Sequence, residues 1–138
     1  MTTLRVADYL TGLPAFVVYF AIGVALVLLF VAIYVRITPH AEFRLIREGN
    51  TAAAASLGGA LIGFALPLSS VIENSVSLLD MVLWSGIALV VQLAGFALAR
   101  LAVRDISRQI EEGKLAAGLF LGAVAIAIGL LNAASITY

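Results

Sequence analysis

Few side chains in this sequence could do chemistry. The single histidine, His40, has no metal-ligand partner at useful spacing and reads as an interfacial side chain. Cysteine is absent, which excludes disulfides, Cys-ligated zinc, iron–sulfur clusters and thiol nucleophiles. There is no His–Glu–His zinc pattern and no Ser–His pairing. The expectation is a protein that is not an enzyme and holds no cofactor or metal.

The remaining polar chemistry sits in apolar surroundings. Ser56, Ser70, Asn74, Gln92 and Asn132 are uncharged hydrogen-bonding residues within or beside long apolar runs. An amide facing lipid is costly, so Gln92 should point inward. Two roles fit these residues. As interhelical contacts they would bond in separate places, each contributing ~0.6–2 kcal/mol. As a pore or substrate path, Ser56, Ser70, Gln92 and Asn132 would converge on one cavity. Pro67 favours the second role, because its missing N–H frees the carbonyl of Gly63 as a possible pore ligand, and its ring should kink the helix. No run has a charge near its centre, which argues against a proton- or sodium-coupled carrier. Glu73 and Asp80 bracket a loop and read as solvated carboxylates.

The elements that must position these residues are apolar helices. Of 138 residues, 63% are hydrophobic and 12% charged, too little charge to clothe a soluble domain of this length. Four runs, at about 13–35, 51–72, 78–99 and 115–136, each reach the ~20 residues needed to cross a bilayer as a helix. They lack the alternation of a membrane barrel. The amino-terminal segment does not read as a signal peptide, and the first run is expected to be retained. Thr38-Pro39 suits the start of a short helix over about 39–48, Gly49-Asn50 a break before the second span, and Ser77 with Asp80 a capping box opening the third.

Net charge is zero, which gives no pull on nucleic acid, but its distribution is informative. Arg36, Arg44 and Arg47 lie between the first two runs, and Arg100, Arg104, Arg108 and Lys114 between the last two. Only Arg5 lies elsewhere, so seven of eight basic residues share one side. The positive-inside rule makes that side cytoplasmic and puts both termini outside. Tyr9, Tyr19 and Trp84 suit the aromatic belt of the outer boundary.

A shift of 64 residues aligns the halves: Arg36 meets Arg100, Arg44 meets Arg108, Glu48-Gly49 meets Glu112-Gly113, and Leu57-Gly58 meets Leu121-Gly122. The expected fold is an all-α integral membrane protein, a single domain over 1–138. It has four transmembrane helices in two tandem two-helix repeats (13–72 and 78–136), in parallel orientation about an axis along the membrane normal.

Small residues repeat at helical spacing: Ser56, Gly59, Gly63, Pro67, Ser70 and Asn74 in the second span, Ser85, Ala88, Gln92, Gly95 and Ala99 in the third, and Gly118, Gly122, Ala125, Gly129 and Asn132 in the fourth. These faces should meet, with the first span at the lipid-facing edge. Gly59, Gly118 and Gly122 are the close-packing candidates, within one chain or between copies.

The segments EFRLIREGNTAAAASLGGALIGFALPL (42–68) and SVSLLDMVLWSGIALVVQL (75–93) resemble the bacterial inner-membrane family known as domain of unknown function family 350. The resemblance covers nearly the whole chain and implies a duplicated four-helix protein of the bacterial inner membrane. It implies no activity, so it assigns no functional residues. The reading that follows is an oligomeric structural or partner-binding subunit in the lipid bilayer, with segments 36–50 and 100–114 as possible docking surfaces for a cytoplasmic protein. A passive ion channel or small-solute transporter is the alternative.

Overall fold

A computed structural model describes residues 5–136. Their element order is α1 (Val6–Leu10), α2 (Leu13–Ile37), α3 (Glu42–Arg47), α4 (Thr51–Asn74), α5 (Leu78–Ala102), α6 (Ile106–Glu111) and α7 (Leu115–Ser135), with no strand among the described residues. Four stretches are long and apolar enough to cross a membrane: Val6–Ile37, Thr51–Asn74, Leu78–Ala102 and Leu115–Ser135.

The helix ends follow local chemistry, with one correction to the sequence reading. Thr38 does not open a short helix. It closes α2: its N–H and its hydroxyl both donate to the Tyr34 carbonyl, at 3.1 Å each. Its ψ of 132° is extended, as the ring of Pro39 requires of the preceding residue. The helix expected over 39–48 therefore begins later, at Glu42. At α5, Ser77 Oγ accepts the Asp80 N–H at 3.1 Å as a capping residue should. The Asp80 carboxylate reaches back to Val76 N–H, also at 3.1 Å, one residue before the cap itself.

α3 and α6 have six residues each and end alike. Gly49 donates to Ile46 and Asn50 to Leu45. Sixty-four positions on, Gly113 donates to Ile110 and Lys114 to Gln109, all at 2.9–3.0 Å. These are Schellman closures, and they place Gly49 and Gly113 at φ +86° and +76°. A Cβ at either glycine would meet nothing within 4 Å, so the requirement is left-handed backbone rather than room. Gly113→Ala should therefore cost ~1–2 kcal/mol, seen as a lowered melting temperature in detergent. Asp105 is the only described non-glycine residue with positive φ, at 59°.

The core lies between α4 and α7, the most intimately packed pair, with α5 across both and α2 leaning on α4. A Cβ on Gly118 would strike Ala52, one on Gly59 would strike Gly122, and one on Gly129 would strike Gly63. The contact ladder rises along both helices together, so they run parallel. Backbones touch because glycines line both sides, which is how membrane helices gain packing energy without a hydrophobic drive. The small-residue face of α7 is its buried face: Gly118, Gly122, Ala125, Gly129 and Asn132 are all buried. Along its length α2 buries only Gly23, Phe30 and Tyr34.

Candidate functional site: buried polar contacts of the bundle

The five polar residues picked out from the apolar runs fall in separate places. Gln92 on α5 is 2% exposed, and its Nε2 donates to the Ala125 carbonyl of α7 at 2.8 Å. A Cβ on Gly63 would lie 2.7 Å from the same nitrogen, so the amide also presses on α4. Asn132 on α7 donates in the other direction, to the Ala88 carbonyl of α5 at 3.1 Å. The Ser70 hydroxyl of α4 lies 3.4 Å from the Ala133 carbonyl. Ser56 on α4 meets the Tyr34 hydroxyl of α2 at 3.0 Å. Asn74 is exposed and turns back on its own helix, donating to the Ser70 carbonyl at 2.7 Å.

The carbonyl of Gly63, freed by Pro67, also has a place. α4 continues through Pro67, and the Gly63 oxygen faces the Cα of Gly129, close enough that no side chain fits between them. An oxygen that could have served as a pore ligand is covered by a neighbouring helix. Gln92→Leu should accordingly leave the fold intact and lower stability by roughly 0.6–1.7 kcal/mol, the range for one interhelical hydrogen bond. Thermal unfolding of the purified variant measures it.

A second cluster gathers where α2 turns into α3. His40 is no interfacial side chain: it is 2% exposed, and Glu42 beside it is 1% exposed. His40 Nε2 and Glu42 Oε1 are 2.6 Å apart. The remaining atoms of the pair, His40 Nδ1 and Glu42 Oε2, are buried without a hydrogen-bond partner among the described residues. The Glu42 carboxylate lies near enough to the Tyr34 hydroxyl to act on it electrostatically, as does Arg100 from α5. Tyr34 continues the chain to Ser56, and its ring packs on Phe96 at 4.6 Å between centroids.

Arg100 lies beside this cluster. Its guanidinium donates to the Ile37 carbonyl at 3.2 Å and to Ser107 Oγ at 3.4 Å, and sits 5.8 Å above the Phe96 ring. It also lines a polar cleft of about 390 Å³, with Pro39, Asp105, Ser107 and Arg108 among the other lining residues. Sequence reasoning passed over Glu42 because a charged segment between spans normally reads as solvated. One signal was available: Glu42 and Leu45 are three apart and share the face that α3 buries.

The other short segment has an ordinary charged surface. Glu112 pairs with Lys114 and Arg108, each at 3.2 Å. Lys114, then Arg108, hold its carboxyl below the usual carboxylate range. The resulting stabilisation is present at neutral pH and is lost as acid protonates the group. It is small, because water screens the exposed charges.

The sequence model of the family described as Domain of Unknown Function (DUF350) matches residues 8–136. The chain belongs to the DUF350 family. Among relatives of this DUF350 chain is the UPF0719 inner membrane protein YjfL of Escherichia coli strain K12, 48% identical over 129 residues, covering 94% of this chain and 98% of the relative. The UPF0719 transmembrane protein YshE of Bacillus subtilis strain 168 is 25% identical over 120 residues, covering 86% of this chain and 90% of the relative. No solved structure matches. The four apolar helices and these relatives make it a multi-pass protein of an inner-membrane family whose name assigns no activity.

Proposed function

We propose that this chain is a structural, partner-binding membrane subunit that associates with copies of itself and is not an enzyme. One observation carries the reading. Ser56, Ser70, Gln92 and Asn132 each bond to a different place on a neighbouring helix, and the helices between them touch backbone to backbone. That is how a bundle is held, whereas a pore needs such groups facing one water-filled path. Support for self-association lies on the outer faces. Gly58 on α4 and Gly86 on α5 have nothing within 4 Å of where a Cβ would stand, which leaves room for another helix to approach. The segments 36–50 and 100–114 would present a partner with the exposed Arg44–Glu48 and Arg108–Glu112 pairs.

The finer architecture belongs to the same proposal. The chain is a tandem repeat of two hairpins about an axis along the membrane normal, with both termini outside. The matching Schellman closures of α3 and α6 and the parallel run of α4 beside α7 support it. Seven basic residues between the spans support the orientation. Reporter fusions at each terminus test that orientation, and activity of a cytoplasm-only reporter at either end would overturn it.

The functional test is conductance of the purified, reconstituted protein across a planar bilayer, alongside its mass in detergent. A silent bilayer with a mass above one chain is expected. Discrete ion-selective openings would replace this reading with a passive channel and return Gln92 to the pathway.

A further inference from the structure

The cluster of Tyr34, His40, Glu42 and Arg100 is more than the packing of a short helix requires. The second half of the chain shows what packing requires. Sixty-four positions after Glu42 stands Ile106, which is buried on α6 as Glu42 is on α3. In the same register Tyr34 is matched by Leu98, His40 by Arg104 and Ser56 by Phe120. An apolar residue thus anchors one six-residue helix, while an ionisable pair with two unsatisfied atoms anchors the other. Burying such a pair costs desolvation that an isoleucine avoids, so its presence calls for a use beyond anchoring.

We propose that His40 and Glu42 form a proton-binding site, reached from the polar cleft that Pro39 and Arg100 line. The atoms are specific. With Nε2–H donating to Glu42 Oε1, two lone pairs stay buried and vacant, on His40 Nδ1 and on Glu42 Oε2. A hydronium in the cleft gives its proton to one of them: one O–H bond of the hydronium breaks, one N–H or O–H bond forms, and water is left behind. At Nδ1 it makes an imidazolium facing the carboxylate. At Oε2 it makes a neutral acid able to donate to Tyr34. Tyr34 from α2 is the titratable group that interacts with the Glu42 carboxylate; Arg100 from α5 acts on that same hydroxyl, to which α4 presents the neutral Ser56. Arg100 is held by two side-chain hydrogen bonds, at 3.2 and 3.4 Å, and by the Phe96 ring, so it can move aside without unfolding a helix.

His40 is the only histidine, so isotope-labelled histidine reports on this site alone. The experiment is magnetic resonance of the histidine-labelled full chain in liposomes, from about pH 5 to 8, where histidine normally changes charge. The ring-nitrogen signals should follow pH, and Glu42→Gln should change that response, because the carboxylate is half of the site. Ring signals that stay constant over the whole range would show a closed structural pair and overturn the proposal. A response identical in Glu42→Gln would show a histidine titrating alone and would also overturn it. If Glu42→Gln does not fold, Tyr34→Phe, which removes the hydroxyl facing the carboxylate, meets the same requirement.

Discussion

Replacing Gly59 by valine should abolish the folded four-helix protein, while replacing its neighbour Gly58 by alanine should leave it intact or slightly more stable. At position 59 a Cβ would overlap the Gly122 backbone, with the Gly122 carbonyl oxygen 2.6 Å and carbonyl carbon 2.7 Å away. Overpacking costs ~1–3 kcal/mol where side chains can give way. Here the obstacle is backbone on a parallel helix, and relief means prising α4 from α7 along a ladder that also includes Gly118 and Gly129. Separating the central pair removes most of a total stability that is only ~5–15 kcal/mol for a typical domain. At position 58 nothing lies within 4 Å, and alanine in a helix is favoured over glycine by up to ~1 kcal/mol. Monodispersity and thermal unfolding in a mild detergent decide the matter. A Gly59→Val protein melting near the native temperature would mean that the two helices do not touch where described.

The second large effect concerns the buried pair. Glu42→Leu should destabilise the protein by ~3 kcal/mol or more, because His40 is left in a dry site without its acceptor. His40→Leu should do the same to the carboxylate. The double variant should recover much of the loss, since two apolar side chains need no partner and the short helix α6 already buries an isoleucine, Ile106. A double-mutant cycle on unfolding free energy isolates the coupling. Losses that simply add would show that the two side chains do not depend on each other. The cycle concerns stability alone and is read at one pH.

Much of this architecture is written in residue spacing. The spans are legible because a helix in lipid must satisfy its own backbone, which leaves long apolar runs as the signature. The packing face of α7 is legible because small residues at a three- and four-residue spacing have one purpose where backbones meet. The helix ends are legible where a side chain and the backbone agree, as at Ser77. They mislead where two signals compete: Thr38 resembles an opening cap, yet its hydroxyl finds the Tyr34 carbonyl behind it and closes α2 instead.

The cluster around Glu42 was illegible for a different reason. Charge patterning places a segment on one side of a membrane, and it cannot say that the segment folds back beneath Tyr34. Arg100 comes from a helix that starts 36 positions after Glu42, so nothing in local spacing joins them. The separate destinations of Gln92, Asn132 and Ser70 were likewise open, because helix periodicity gives a face and leaves unsaid which neighbour that face meets.

The parallel glycine seam also has a consequence for biogenesis. Its two sides are α4 and α7, and α7 is synthesised after α4 and α5. Until α7 enters the bilayer, Gly59 lacks the Gly122 backbone that fills its side of the groove. The first hairpin must therefore wait, inserted but loosely held, for its mate. The seam closes only once α7 is in place, and a nascent chain arrested before Leu115 carries an unfinished surface that the quality-control machinery of the membrane can recognise.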